Sequence, residues 1–168
     1  MLALAFHVGK DRFALRCADV VEVVPRVDFR DTPHAPPWIP GMFTYRGAVV
    51  PVVDLCKLMW GAPCEAKMSS RIILVRHVLA PHRSPAQEPM RTELAPPARS
   101  RLIGLLAERV TEAVMLDTSL VAEPGVESPD APYLGEVYFE AGKMIQLVRL
   151  EQLFQSASKS MILPEAQP

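Results

Sequence analysis

Apolar residues fall in short runs along this chain, and turn-forming residues bound each run. RFALRC (Arg12–Cys17), MFTYR (Met42–Arg46), VVPVVDL (Val49–Leu55), RIILVR (Arg71–Arg76), RLIGLLAERV (Arg101–Val110), EVYFE (Glu136–Glu140) and KMIQLVRL (Lys143–Leu150) are rich in valine, isoleucine, leucine and aromatics. Branched and aromatic side chains suit a pleated surface, so each run predicts a strand. Only LCKLMW (Leu55–Trp60) and LEQLFQSASK (Leu150–Lys159) suit short helices, each directly after a strand. GKDR at Gly9 reads as a hairpin turn. The prediction is a mostly β chain of sandwich or barrel type.

Proline marks the connections, because it fixes φ and removes a backbone donor. The 17 prolines cluster in Asp31–Pro40, Leu79–Ser100 and Glu123–Pro132. The second cluster is the longest and has no period, which predicts a flexible surface insertion over 79–100. The end of the chain, 156–168, is expected to be a loose tail.

An internal repeat organises the strands. Phe13, Leu15, Val20, Glu22 and Val24 match Ile103, Leu105, Val110, Glu112 and Val114 in order. Gly47, Val50, Val52, Val53, Leu55 and Leu58 match Gly142, Ile145, Leu147, Val148, Leu150 and Leu153. Two similar β subdomains follow, each too small to bury its apolar face alone, packed on one another within 168 residues.

VVPVVDL is apolar on both alternating faces, with Val50 and Val52 on one and Val49, Val53 and Leu55 on the other. A half-buried strand alternates with polar residues. Either both faces are covered internally or one is offered to a partner. Pro51 places the strand at an edge or a bulge. Arg46, next to Gly47 in the tight connection, is expected to project into solvent. A planar fork of donors beside apolar surface is a common anchor at protein interfaces.

Composition and charge narrow the function. Apolar residues make up 49% of the chain and charged residues 22%, with a formal net charge of −1. A nucleic-acid binder needs a basic stripe interleaved with aromatics, and aromatics are only 7% here. Cys17, Cys56 and Cys64 form no C-x-x-C, so they read as packing thiols in a reducing compartment. Met1–Phe6 is too short to span a bilayer and lacks a basic start, so a soluble cytoplasmic protein is expected. His7, His34, His77 and His82 are scattered, none at metal-ligand spacing, and His7 is expected to face water. There is no phosphate loop and no G-x-S-x-G. Asp54 stands where a strand meets a helix and reads as an N-terminal cap. Cys56 beside it reads as a buried, inert thiol. An enzyme using Asp54 or Cys56 is the alternative, but no catalytic constellation is found. No catalytic residue, metal or cofactor is expected.

FHVGKDRFALRCADVVEVV, TPHAPPWIPGMFTYRGAVVPVVDL, RIILVR, RLIGLLAERVTEAVML and YLGEVYFEAGKMIQLVRLEQLF, in this order, resemble the CheW-like family of bacterial chemotaxis coupling proteins. The match runs from Leu2 to Phe154, and G-x-x-x-x-R-G-x-x-V-P-V-V-D-L is its most specific part. The resemblance implies one CheW-like domain over 1–155, built from two SH3-like five-stranded β-barrels sharing a core, with a short C-terminal helix. The N-terminal strand is expected to complete the second barrel and the strand at Arg71–Arg76 the first. It also implies a non-enzymatic adaptor bridging a chemoreceptor's cytoplasmic signalling tip to the regulatory domain of a chemotaxis-type histidine kinase. That domain is itself CheW-like, and the protein would join membrane receptor arrays through its partners. A regulatory module that competes for the kinase without coupling it is the alternative within the family. Arg46 carries over as a partner contact. Arg46, Gly47, Tyr45 and Ile39 are candidates for the kinase side or the shared rim. Val20, Val24 and Val114 are candidates for a receptor site in the groove between the barrels. Thr44 and Tyr45 stand where the family usually has Asn-Leu, which implies adaptation to a particular partner. An alternative, Wsp-type pathway controlling cyclic diguanylate is the expectation within that group.

Overall fold

The computed structural model describes residues 1–78, 100–122, 124 and 128–160. Among these, the elements run β1 (Leu2–Val8), β2 (Asp11–Arg16), a 3-10 turn (Cys17–Asp19), β3 (Val20–Pro25), β4 (Gly41–Tyr45), β5 (Ala48–Asp54), α1 (Leu55–Trp60), β6 (Arg71–Val78), β7 (Ser100–Met115), β8 (Val121–Ala122), β9 (Leu134–Glu140), β10 (Lys143–Val148) and α2 (Leu150–Ser160). Every run predicted as a strand or helix is one. The predicted insertion, apart from Ser100, lies outside the described residues. Helix α2 continues through Ser160 and buries Ala157. Residues 156–160 therefore extend the helix where a loose tail was expected, and 161–168 lie outside the described residues.

The strands build two SH3-like subdomains. The first comprises β4, β5, the first half of β7, β6 and β3, in that order of pairing. The second comprises the latter half of β7, β1, β2, β10, β9 and β8. β1 thus enters the second subdomain and β6 the first. The backbone ladder is an open mixed sheet, not a pair of closed barrels. Among the described residues of the first subdomain, β3 pairs only with β6, and β4 meets the incoming chain only at the Arg30–Met42 bridge.

The duplication is legible in the register. Val52 on β5 pairs in parallel with Gly104 on β7, and Leu147 on β10 pairs in parallel with Ala14 on β2. Leu147 is the repeat counterpart of Val52, and Gly104 that of Ala14, so the two parallel contacts are equivalent. Each half of the chain lends a strand to the other's sheet. The hairpin turns correspond too, with positive φ at Arg46 and Gly47 (46° and 79°) and at Ala141 and Gly142 (49° and 75°). Two successive left-handed residues match the twist of flanking antiparallel strands.

Alternation on β1 and β2 explains how the halves share a core. Phe6, Val8, Phe13 and Leu15 point into the main cluster, which also takes in β5, β6, β7 and Leu153 and Phe154 of α2. Ala3, Ala5 and Ala14 point the other way, into a smaller cluster with Val114, Leu116, Tyr138, Ile145 and Leu147. Large side chains fill the common core, and alanines let the second sheet close tightly behind it. On β5, Val50, Val52 and Val53 are all buried, as is Leu55 at the start of α1, so both faces of the inner part of that strand are covered internally. Val49, at its hairpin end, is 64% exposed. Pro51 sits opposite Met42, whose N–H and C=O turn outward to Arg30, so the ladder asks no donor of the proline there.

Cys56 and Cys64 form a disulfide, against the expectation of three packing thiols; Cys17 is free and half-buried. The short helix α1 ends at Gly61 in the left-handed conformation, and the chain doubles back to place Cys64 beside Cys56. His7 also departs from expectation. It is half-covered, and its Nδ1 is buried without a hydrogen-bond partner among the described residues. Burial and the nearby Arg109 and Arg12 hold its pKa below the ordinary histidine value.

Candidate interaction site

The unpaired junction between β3 and β4 is closed by side chains. Glu22 is the lone charged residue of an otherwise apolar β3, and its carboxylate accepts the Tyr45 hydroxyl. The same carboxylate oxygen lies 3.3 Å from Arg46 Nη2. The Arg46 guanidinium stands 5.1 Å from the centre of the Tyr45 ring, a cation–π distance. The bond to Glu22 favours the protonated phenol, so the Tyr45 pKa is raised, with burial adding to the shift. Arg46 remains 77% exposed at the tip of the β4–β5 hairpin. A non-glycine residue in the left-handed region costs about 1–2 kcal/mol, and Arg46 takes that position next to Gly47, whose Cα faces open space.

Below this cluster the junction opens into a cleft of about 490 Å³. Val24, Pro25 and Val27 form one wall, Met42, Phe43, Thr44 and Tyr45 the other, and Asp28 and Arg30 its polar end. Arg26 lies 6.0 Å over the Phe29 ring, and Phe29 packs 6.4 Å from Phe43.

The candidates named from sequence divide. Tyr45, Arg46 and Gly47 meet at the hairpin tip, and Val24 and Tyr45 line the same cleft. Val20 is half-buried against the main core at the start of β3 and does not line the cleft. Ile39 is half-buried in the loop before β4, its N–H bonded to Pro36, and is also outside the cleft lining. Val114 is buried in the second core opposite Ala3 of β1, while its chain neighbours Ala113 and Met115 are exposed. It therefore offers no surface to a groove between the subdomains, and that interior is filled by the chain's own side chains. Glu22 was not named as a site residue. Its signal was a single carboxylate within V-V-E-V-V.

Asp54 and Cys56 are structural. One Asp54 oxygen accepts the Lys57 N–H at 2.9 Å and the other the Cys64 N–H at 3.0 Å, so the carboxylate caps α1 and pins the returning loop. Burial pushes the Asp54 pKa up against the pull of these N–H groups. Cys56 is held in its disulfide with Cys64.

The class that these features define is a duplicated SH3-like β fold with a charged hairpin tip above an apolar cleft. The chain belongs to the CheW-like domain family, which matches residues 2–158. It is 27% identical over 158 residues to a chemotaxis protein CheW of Rhizobium meliloti (strain 1021), covering 93% of this chain and 88% of that one. It is 20% identical over 152 residues to a chemotaxis protein CheW of Helicobacter pylori (strain ATCC 700392 / 26695), covering 89% and 79%. The crystal structure of the scaffolding protein TtCheW from Thermoanaerobacter tengcongensis is similar at a TM-score of 0.69 and 25% identity, covering 89% of this chain and 84% of that chain. Among the described residues no helix is long and apolar enough to cross a membrane.

Proposed function

We propose that this protein is a non-catalytic adaptor that couples a chemoreceptor's cytoplasmic signalling tip to the regulatory domain of a chemotaxis-type histidine kinase. The observation that carries this reading is the exposed Arg46 at the β4–β5 tip, in a chain whose family match spans residues 2–158. The relatives named as chemotaxis and scaffolding proteins support it. Arg46 and Tyr45 supply an oriented charge and an amphipathic ring, and Val49 adds exposed apolar surface across the same hairpin. Apolar burial supplies the binding energy, roughly 25 cal/mol per Å² removed from water, less ordering and association costs. Modest contacts suffice where an array adds avidity.

Reconstitution tests the reading. Kinase autophosphorylation is measured with receptor fragments in vesicles, with and without the full chain. Receptor-dependent activation that requires the chain supports the adaptor. Binding to the kinase without receptor-dependent activation points to a competing module instead.

A further inference from the structure

We propose that Cys56 and Cys64 are a reversible thiol–disulfide pair that fastens the 61–64 loop and, through Arg26, the 26–30 segment to the first subdomain, so that a dithiol reductant loosens this edge without unfolding the chain. The pair links residues only eight apart, with Cα atoms 5.0 Å from each other. Its ring encloses Trp60, which is 58% exposed, and the exposed residues Gly61, Ala62 and Pro63. Both cysteines are buried at the margin of the main core, with the Cys64 sulfur 3.4 Å from the Leu106 carbonyl oxygen of β7, and the chain that joins them is this short surface loop. Local opening of the loop exposes the sulfurs, with no need to disturb β5, β6 or β7, whose ladders are formed independently.

The connection onward is physical. The Cys64 carbonyl accepts Arg26 Nη1 at 3.3 Å, and the Cys64 N–H holds the Asp54 carboxylate. Arg26 lies over Phe29, and Phe29 packs on Phe43 in the wall of the cleft. Arg30 forms the bridge to Met42 that closes the lower end of that cleft. Releasing Cys64 from Cys56 leaves the loop held by the Asp54 carboxylate alone, which loosens the anchor of Arg26 and leaves the Arg30–Met42 bridge as the remaining tie of the 26–30 segment to β4.

The exchange balances as ordinary thiol chemistry. A thiolate of an external dithiol attacks one sulfur of the pair and forms a mixed disulfide, releasing the other sulfur as a thiolate that takes up a proton. The second thiol of the reductant then resolves the mixed disulfide. The pair gains two electrons and two protons, and the dithiol becomes a disulfide.

The test uses the full chain, equilibrated with dithiothreitol or its oxidised form, then alkylated in denaturant and weighed. One added alkyl group, on Cys17, is expected for the oxidised chain and three for the reduced chain. Hydrogen exchange is then compared in the two states. Exchange over 26–30 and 61–64 is expected to quicken about tenfold on reduction, with β5 and β7 unchanged. The Cys56→Ser/Cys64→Ser chain should show the fast pattern under both conditions, and Arg26→Gln should quicken 26–30 in the oxidised chain. Three alkyl groups after oxidation, resistance to dithiothreitol without denaturant, identical exchange in both states, or loss of protection throughout the core would each overturn the proposal.

Discussion

Tyr45 on β4 donates its hydroxyl to Glu22 on β3, across the junction of the first subdomain that has no backbone ladder. A side-chain bond stands there in place of strand pairing, and Arg46 shares the same carboxylate. Tyr45→Phe keeps the ring under the guanidinium and removes only the hydroxyl. The fold is expected to survive, with Tm lower by roughly 2 °C. Hydrogen exchange at the β3 and β4 edges should rise, and unchanged exchange there would show that the bond does not hold the junction.

Arg46→Glu reverses the charge at an exposed tip and sets a second carboxylate against Glu22. The Tm is expected to move by no more than about 3 °C. Affinity for the kinase's regulatory domain or the receptor tip should fall about tenfold or more. Titration calorimetry with each fragment reads this, and undiminished affinity for both would remove Arg46 from the interface.

Gly41 begins β4 at a φ of 148°, and a Cβ there would stand 2.3 Å from the Arg30 carbonyl oxygen. Gly41→Ala must push apart the Arg30–Met42 bridge as well as adopt an unfavourable backbone. The expected cost is about 2–3 kcal/mol. Urea unfolding measures it, and a loss below about 0.5 kcal/mol would mean that this end of the cleft yields freely.

His7 and His77 should make stability fall in mild acid. Burial holds both below the ordinary value of 6.5, with Arg109 and Arg12 adding to the effect at His7 and Arg101 at His77. The unfolded chain takes up protons near pH 6.5 that the folded chain declines, so the unfolded state gains as pH falls. The histidine contribution is fully present above that pH and is lost downward through the folded-state values. His77 also packs its ring 4.4 Å from that of Phe154. Tm measured from pH 7.5 to 5.5, on the order of the histidine range, should decline less steeply in a His7→Gln/His77→Phe chain. An equal decline would place the effect elsewhere.

Sequence pattern carried seven of the ten described strands, both helices, the duplication and the Arg46–Gly47 turn, because each is encoded by neighbours in the chain, whereas β3 and β8 were not read and β1 was expected only from the family resemblance. Val52 and Leu147 announce their equivalence by position, and the structure pairs them equivalently. Contacts between distant elements were less legible. Glu22 meets Tyr45 where no ladder exists, so no strand period points to it. Val114 could face either way until the crossing of β7 between subdomains fixed its side. Cys56 and Cys64 approach only because α1 is short and Gly61 turns the chain back, a fold-back that residue spacing alone does not specify. His7 alternates correctly with Phe6 and Val8, but its outward side meets the second sheet's charged rim instead of open water.

The reciprocal loan of strands between the two halves has a consequence for dissection. A fragment ending at residue 78 keeps β2 but lacks the β10 that lies along it, and a fragment beginning at residue 100 keeps β7 but lacks β5. Neither piece contains a finished sheet, so separately they should stay unfolded, and mixing them should restore one molecule by mutual templating.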